Sequence, residues 1–243
     1  MRMISFASRN AKEMLRDPIN LAFGLGFPLV LILLLSAIQS SVPVSLFEIE
    51  SLAPGICVFG LSFMTLFSAT LISRDRQSAL LQRLYTTPMT PTDFILGYTL
   101  PIIPISLIQS VVTYIAAICL GLRLSLNIIY SILFIIPISL LYIALGLLFG
   151  SILNDKQVGG VCGGLLTNLS AWLSGIWFDI SLIGGAFEKV GKMLPFYHAV
   201  ELERAILKGD FSDSLAHLVI VTIYAVIVLI GASLLFLRQM KKQ

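Results

Sequence analysis

The sequence predicts an all-α membrane protein with six transmembrane helices. Hydrophobic residues make up 57% of the 243 positions, charged residues make up 12%, and the mean hydropathy is +0.96. All 29 charged residues lie between or outside six long apolar stretches. Each stretch is long enough to cross a membrane, because a helix needs about 20 residues to span a bilayer core of about 30 Å. The predicted spans are residues 19–38, 52–73, 94–121, 124–153, 157–178 and 214–237.

The chain divides into a short leader, residues 1–18, and a six-helix domain, residues 19–243. Apolar side chains in the leader repeat with the period of a helix and lie opposite its cations. Such a helix rests in the headgroup layer, where the cations meet anionic lipid. Pro18 ends it, because proline disfavours helical backbone at the residue before it. The predicted apolar stripe of this interfacial helix consists of Met3, Ile4, Ala7, Ala11, Met14 and Leu15.

The distribution of Lys and Arg predicts that both termini are cytoplasmic. In that orientation 11 of these cations lie on the cytoplasmic side and 5 outside, in agreement with the positive-inside preference. Residues 179–213 are then external. The predicted spans contain no Asp, Glu, Lys or Arg, which argues against a proton-coupled carrier or an intramembrane enzyme.

The cytoplasmic segment 74–88 is the densest polar feature on its side of the membrane. It begins with Arg74, Asp75 and Arg76 and continues with leucines spaced as on one face of a short helix. A short amphipathic helix can dock into a groove of a partner protein, or it can rest on the chain's own helix ends. The residues alone favour neither. The helix face and its cation comprise Leu80, Leu81, Arg83, Leu84 and Tyr85.

Two sets of side chains within the spans are candidates for contact with a transported molecule. Phe59, Phe63 and Phe67 recur every four residues on one face of the second span. The fifth span presents Asn168 and Trp172 on a matching face. Aromatic surface with an amide suits an amphipathic molecule; ordinary packing against lipid or against the core is the alternative.

The fifth span opens with glycines in two overlapping G-x-x-x-G pairs, a spacing that lets helices approach closely. Packing within the chain is favoured over dimerisation, because the motif is common in membrane helices. Gly146 and Gly150 repeat the spacing in the fourth span. The glycines of the fifth span are Gly159, Gly160, Gly163 and Gly164.

The residues predict no metal or nucleotide site in this chain. The three cysteines fall within spans and lack metal-ligand spacing, and His198 with Glu201 supplies two ligands without a third. Gly191-Lys192 lacks the first glycine and the hydroxyl residue of a phosphate-binding loop. We therefore expect no cofactor, and no nucleic acid among the partners.

Several short motifs, taken in order, resemble the ABC-2 type permeases, the membrane subunits of bacterial ABC exporters. The resemblance covers the whole chain. Tyr98 and Gln82 depart from the family pattern, in which Lys and Glu are common at these places. The matching motifs are Arg16-Asp17-Pro18, Arg74-Asp75-Arg76, Leu80-Leu81-Gln82-Arg83-Leu84, Thr87-Pro88-Met89-Thr90, Ser174-Gly175-Ile176-Trp177-Phe178 and Leu194-Pro195-Phe196.

The resemblance implies the architecture of a type V ABC exporter: the interfacial helix, six spans, a coupling helix within 74–88, and short external helices before the last span. It implies a homo- or heterodimer in the cell membrane, with a substrate pathway between the second and fifth helices of both subunits. It also implies two copies of a separate ABC ATPase, which bind the ATP and Mg²⁺ and on which residues 74–88 dock.

The expected role is thus that of a non-catalytic permease subunit. The expected cargo is amphipathic drugs, antibiotics or antimicrobial peptides, which the exporter moves out of the cell. A lipid-linked polysaccharide is the alternative cargo. Outside the transporter class, an intramembrane enzyme would need reactive residues in the spans, and a membrane scaffold would bind its partners without moving a substrate.

Overall fold

The computed structural model describes residues 2–43, 47–78, 80, 83 and 89–240, apart from the side chains of residues 237, 239 and 240. These residues are predominantly helical. The helices are α1 (Arg2–Leu15), α2 (Pro18–Ser41), α3 (Ile49–Gln77), α4 (Pro91–Cys119), α5 (Leu126–Ile152), α6 (155–173), α7 (Gly185–Met193), α8 (Pro195–Lys208) and α9 (Phe211–Met240).

Among the described residues, five helices are long and apolar enough to cross a membrane: α2, α3, α4, α5 and α9. They coincide with five of the six predicted spans. Helix α6 overlaps the predicted span 157–178, but it begins with polar residues and has a π-helical stretch at Gly159–Leu166. A sixth crossing at this place therefore stays a prediction.

Helix α3 is the central element of the bundle. In its most apolar window 94% of the residues are buried, against 17% for α2 and for α9. It packs along α5 and is flanked by α2, α4, α6 and α8. The apolar side chains of α2 and α9 point outward instead, as expected for helices whose surroundings are lipid tails.

Helix α4 is interrupted at Leu100 and Pro101. Its two parts are Pro91–Thr99 and Ile102–Cys119. The interruption at Pro101 agrees with the sequence, because proline has no N–H to continue the helical ladder. The first part begins at a reciprocal cap: the backbone N–H of Thr90 donates to Asp93, and the backbone N–H of Asp93 donates to the Thr90 hydroxyl.

Helix α1 is present, but the face that it buries differs from the predicted stripe. Phe6, Asn10 and Met14 are the buried residues, and the Phe6 ring packs edge-on against Tyr98 with centroids 5.0 Å apart. Ile4 stays 65% exposed. Within the predicted stripe Leu15 is also exposed whereas Met14 is buried, and the neighbouring face, which carries Phe6 and Asn10, rests on α4. The helical period of the sequence shows where an apolar stripe lies. It does not show whether that stripe contacts lipid or protein.

The segment of residues 179–213, which the sequence predicts to be external, is less superficial than its sequence indicates. Helix α8 packs against α3, α5 and α9 and buries eight of its residues. One of them is Glu203, which is 0% exposed and accepts a hydrogen bond from the hydroxyl of Tyr114 in α4, at 3.0 Å. A carboxyl group thus lies within the core, although no carboxylate belongs to a predicted span.

Candidate functional site

The last turn of α3 carries an internal ion pair. Arg9 of α1 donates two hydrogen bonds to the carboxylate of Asp75, at 2.6 and 2.8 Å. The hydroxyl of Tyr98 in α4 donates a third, at 2.9 Å. Asp75 is 1% exposed. Its carboxylate therefore accepts three hydrogen bonds from Arg9 and Tyr98 in place of hydrogen bonds from water. A bidentate guanidinium contact fixes orientation as well as charge.

The fit of α1 against α4 depends on a glycine. The side-chain amide of Asn10 donates to the carbonyl of Gly97, at 3.0 Å. A Cβ atom at position 97 would overlap the ring of Phe6. Gly97 therefore allows α1 to approach closely enough for Arg9 to reach Asp75.

The two arginines beside Asp75 point elsewhere. Arg74 is 51% exposed in its side chain and lies 3.4 Å from carboxylates of Asp17 and Asp155. Arg76 donates to the carbonyl of Gly150 near the end of α5, at 2.9 Å. The end of α3 is thus connected to α1, α4, α5 and the start of α6.

A polar groove of about 1070 Å³ lies beside this cluster, between α1 and the end of α3. Lys12, Arg16 and Arg74 supply cations to it, and Glu13 and Asp17 supply carboxylates. Arg74, in the last turn of α3, lines it. The surface that a partner would meet here is therefore charged and predominantly basic.

The predicted coupling helix is described only in part. Leu80 is half-buried and Arg83 is exposed, both in helical conformation. Leu81 and Leu84 lie outside the described residues. Arg74, Arg76, Leu80 and Arg83 remain candidates for contact with a partner. Asp75 differs, because its burial directs the carboxylate into the protein.

The three phenylalanines predicted to line a pathway are covered within the single chain. Phe59, Phe63 and Phe67 are 5%, 4% and 2% exposed. The ring of Phe27 in α2 lies over the first two, with centroid distances of 6.2 and 5.8 Å. Phe23 adds a further contact to Phe63, at 6.0 Å. These residues face α2 rather than an open passage.

Asn168 and Trp172 are on a different surface. Both are exposed, Trp172 by 53%. The amide of Asn168 donates to the carbonyl of Gly164, one turn earlier in α6, and the Trp172 ring contacts Phe178 at 5.8 Å. The single chain therefore does not bring the two predicted pathway sets onto one shared face.

The glycines separate into two groups, only one of which packs within the chain. Gly146 and Gly150 meet α3 so closely that added Cβ atoms would lie 2.7 Å from the Thr65 carbonyl and 2.9 Å from the Ala69 backbone. In α6, Gly163 faces Leu66. The other three glycines have no described atom within 4 Å of an added Cβ, so the expectation of packing within the chain is wrong for them: Gly159, Gly160 and Gly164.

At the opposite end of the bundle a second cavity, of about 410 Å³, lies between the start of α3, the turn after α6 and α8. Arg204 joins these elements. It donates to the carbonyls of Gly175 and Ser51, at 3.0 and 3.3 Å, and to Glu201 at 2.8 Å. Sequence reasoning did not select Arg204, since its contacts come from residues far apart in the chain.

Comparison with known proteins identifies the family of this helical bundle. A search of curated proteins found no match. The family model for the ABC-2 type transporter matches residues 2–207, which include α1, the polar cluster at Asp75 and nearly all of α8. Membership of this family implies a membrane subunit that associates with an ABC ATPase. The chain belongs to the ABC-2 type transporter family.

Proposed function

We propose that this chain is the permease subunit of an ATP-driven exporter of amphipathic drugs, antibiotics or antimicrobial peptides. It works as a dimer with two copies of an ABC ATPase. The observation that carries the proposal is the bonded cluster of Arg9, Asp75 and Tyr98. It lies where the predicted coupling segment joins the central helix.

The cluster can transmit a displacement of the coupling segment to the helices of the bundle. Asp75 holds α1 and α4 to the end of α3, and Arg76 holds α5 to the same turn. An ATPase that displaces residues 78–88 therefore acts on four helices through short, charge-assisted contacts. Packed helices respond to such displacements by shifting as rigid units between discrete arrangements.

The coupling residues take two roles in this proposal. Arg74, Arg76, Leu80 and Arg83 contact the ATPase, together with Leu81 and Leu84 of the same segment. Asp75 positions the segment from inside. This division follows from exposure, because Arg74 is half exposed whereas Asp75 is buried.

The open face of α6 is the proposed contact with a second permease. Gly160, Gly164, Asn168 and Trp172 follow one another at intervals of four residues, on the side that no described helix covers. Small residues there let a second helix approach closely. The phenylalanines of α3 become part of the pathway when α2 moves away from them.

The test is reconstitution. The permease and the ABC ATPase that co-purifies with it are inserted into inside-out vesicles, and uptake of a fluorescent amphipathic dye is measured. We expect uptake with ATP and none with an ATPase variant that binds ATP without hydrolysing it. Dye uptake by the permease alone contradicts the proposal. If the ATPase activity responds to a lipid-linked oligosaccharide but not to the dye, the cargo is a lipid-linked polysaccharide and not an amphipathic drug or peptide.

A further inference from the structure

The chain has two histidines, and the fold brings them into contact. The Nδ1 atoms of His198 and His217 are 2.8 Å apart, and the ring centroids are 5.0 Å apart. His198 lies in α8, and His217 lies in the second turn of α9. The pair is at the end of the bundle opposite α1.

The other nitrogen of each ring faces an acceptor. Nε2 of His198 is 2.9 Å from the carbonyl oxygen of Lys192, at the end of α7. Nε2 of His217 is 3.8 Å from a carboxylate oxygen of Asp213, one turn earlier in α9. A carbonyl only accepts, so Nε2 of His198 carries the hydrogen. A neutral imidazole has one N–H, and Nδ1 of His198 is therefore a lone pair.

This tautomer of His198 determines which nitrogen of His217 carries a hydrogen. Its Nδ1 carries the hydrogen that bonds to His198, because two lone pairs at 2.8 Å repel each other. With one hydrogen on that ring, Nε2 of His217 presents a lone pair to the Asp213 carboxylate. A second hydrogen makes the ring an imidazolium, which donates to His198 and faces Asp213 with a positive charge.

Once His217 is an imidazolium, the pair has no nitrogen that can bind a further proton without a clash. That proton would have to bind Nδ1 of His198, where its hydrogen would meet the N–H of His217. Burial lowers the pKa of His198, and the neighbouring His217 lowers it further, in agreement with a ring that stays neutral. Among the described residues, the charged or titratable groups on the elements around the pair include Lys192 and Glu188 on α7, Tyr197 and Glu201 on α8, and Asp213 on α9.

We propose that His198 and His217 form a binding site for a single proton, which acts as a clasp between the α7–α8 junction and the start of α9. The clasp is strongest with one proton bound and opens when a second arrives. Tyr224 of α9 adds a neighbouring tie, since its hydroxyl donates to the carbonyl of Met193 at 2.7 Å. Acidification on this side of the membrane therefore releases the helices that precede α9.

The distance argues for a proton rather than a metal ion. Two imidazole nitrogens bound to one Zn²⁺ at about 2.0–2.1 Å in tetrahedral geometry lie about 3.3 Å apart. A nitrogen–hydrogen–nitrogen bond of 2.8 Å matches the ordinary length of a hydrogen bond. Among the described residues, no group of three or more His, Cys, Asp or Glu side chains forms a potential metal site.

The two histidines can be observed alone by nitrogen NMR of ¹⁵N-histidine protein in lipid nanodiscs, purified with a tag that lacks histidine. In a titration from about pH 8.5 to 4.5, we expect one ring to become imidazolium while the other stays the neutral Nε2–H tautomer. A scalar coupling between the two Nδ1 atoms should accompany this state. Independent titration of both rings without coupling would overturn the proposal, as would stoichiometric Zn²⁺ binding by the pair at neutral pH.

Two variants test the role of the carboxylate. Asp213→Asn removes the charge that faces His217, and we expect the one-proton state to form at a pH about half a unit lower. Asp210→Asn is the matched control, because its side chain accepts from the backbone N–H of Asp213 at the start of α9 and asparagine preserves this contact. Equal shifts in both variants, or none in Asp213→Asn, contradict the assignment of the proton to His217.

Discussion

Arg9 and Asp75 are 66 positions apart in the chain and are joined by two hydrogen bonds, of 2.6 and 2.8 Å. Their environments are unequal. The side chain of Asp75 is 2% exposed and that of Arg9 is 37% exposed. Arg9 also has Glu13 one turn away in its own helix, at 2.5 Å. The buried carboxylate of Asp75 thus depends on Arg9 as its cation. The guanidinium of Arg9, in contrast, has Glu13 as an alternative partner.

This asymmetry predicts an order of stability. Arg9→Ala leaves a buried carboxylate without its cation, and we expect it to lower the free energy of unfolding by about 2 kcal/mol. Asp75→Asn should cost less, because the amide oxygen that it introduces still accepts from Tyr98 and Arg9 turns to Glu13. The double variant should be no less stable than Arg9→Ala alone. Urea unfolding in detergent micelles measures all three, and additive losses would contradict the pairing.

The apolar face of the coupling segment predicts a loss of transport without a loss of folding. We expect Leu81→Asp to abolish ATP-dependent transport, because a charge in an apolar docking groove is left desolvated and unpaired. Membrane insertion should be unchanged. Leu124→Asp is the control: that residue is 79% exposed at the other end of the bundle. ATPase recruitment that stays normal with Leu81→Asp in a pull-down would refute the docking role.

The uncovered glycines predict a dimer defect. A Cβ atom added at Gly164 has no described neighbour within 4 Å. For Gly164→Leu we therefore expect a folded monomer and a dimer affinity reduced about tenfold or more. Gly231→Leu, also without a described neighbour at its Cβ position but on α9, should leave the dimer intact. Cross-linking in nanodiscs with light scattering measures both. A stable Gly164→Leu dimer would remove α6 from the interface.

Glu203 predicts that stability falls as pH rises. Burial raises its pKa from the ordinary value of 4.5 to about 8. One carboxylate oxygen accepts from Tyr114, and the other has no hydrogen-bond partner among the described residues. The folded protein therefore holds a proton that the unfolded chain releases above pH 4.5.

The stabilisation from this proton has a defined pH range. It is complete below pH 4.5 and is lost as pH rises to about 8, at about 1.4 kcal/mol per pH unit. Glu203→Gln should flatten this dependence, since the amide cannot ionise. Glu188→Gln, on the exposed α7, is the control. Thermal unfolding between pH 5 and 9 checks the prediction, and a slope that Glu203→Gln leaves unchanged contradicts it.

Local patterns were sufficient for most of the elements. The leader helix, five helices long and apolar enough to cross a membrane, and the interruption at Pro101 appear where hydropathy, helical period and proline place them. These features depend on contacts between residues close in sequence or on transfer to lipid, and both are properties of a segment by itself. Gly146 and Gly150 also pack as their spacing predicts.

Patterns failed where the answer depended on which helix lies beside which. Phe59 and Trp172 have matching periodicity, but α2 covers the first and leaves the second open. Asp75 and Arg74 are adjacent and equally polar, yet one is buried and the other is exposed. No local rule distinguishes these cases, because burial is a property of the neighbours and not of the residue.

The amino-acid order by itself determined that this chain is a membrane bundle of the ABC-2 type with a charged segment after its second span. Composition and short-range spacing are sufficient for that, since lipid selects apolar helices whatever their partners. Tertiary structure alone decided that Asp75 is held by Arg9, that Glu203 lies inside the core, and that the two histidines meet. Each of these is a contact between distant segments, and it exists only because packing positions two backbones within reach of one side chain.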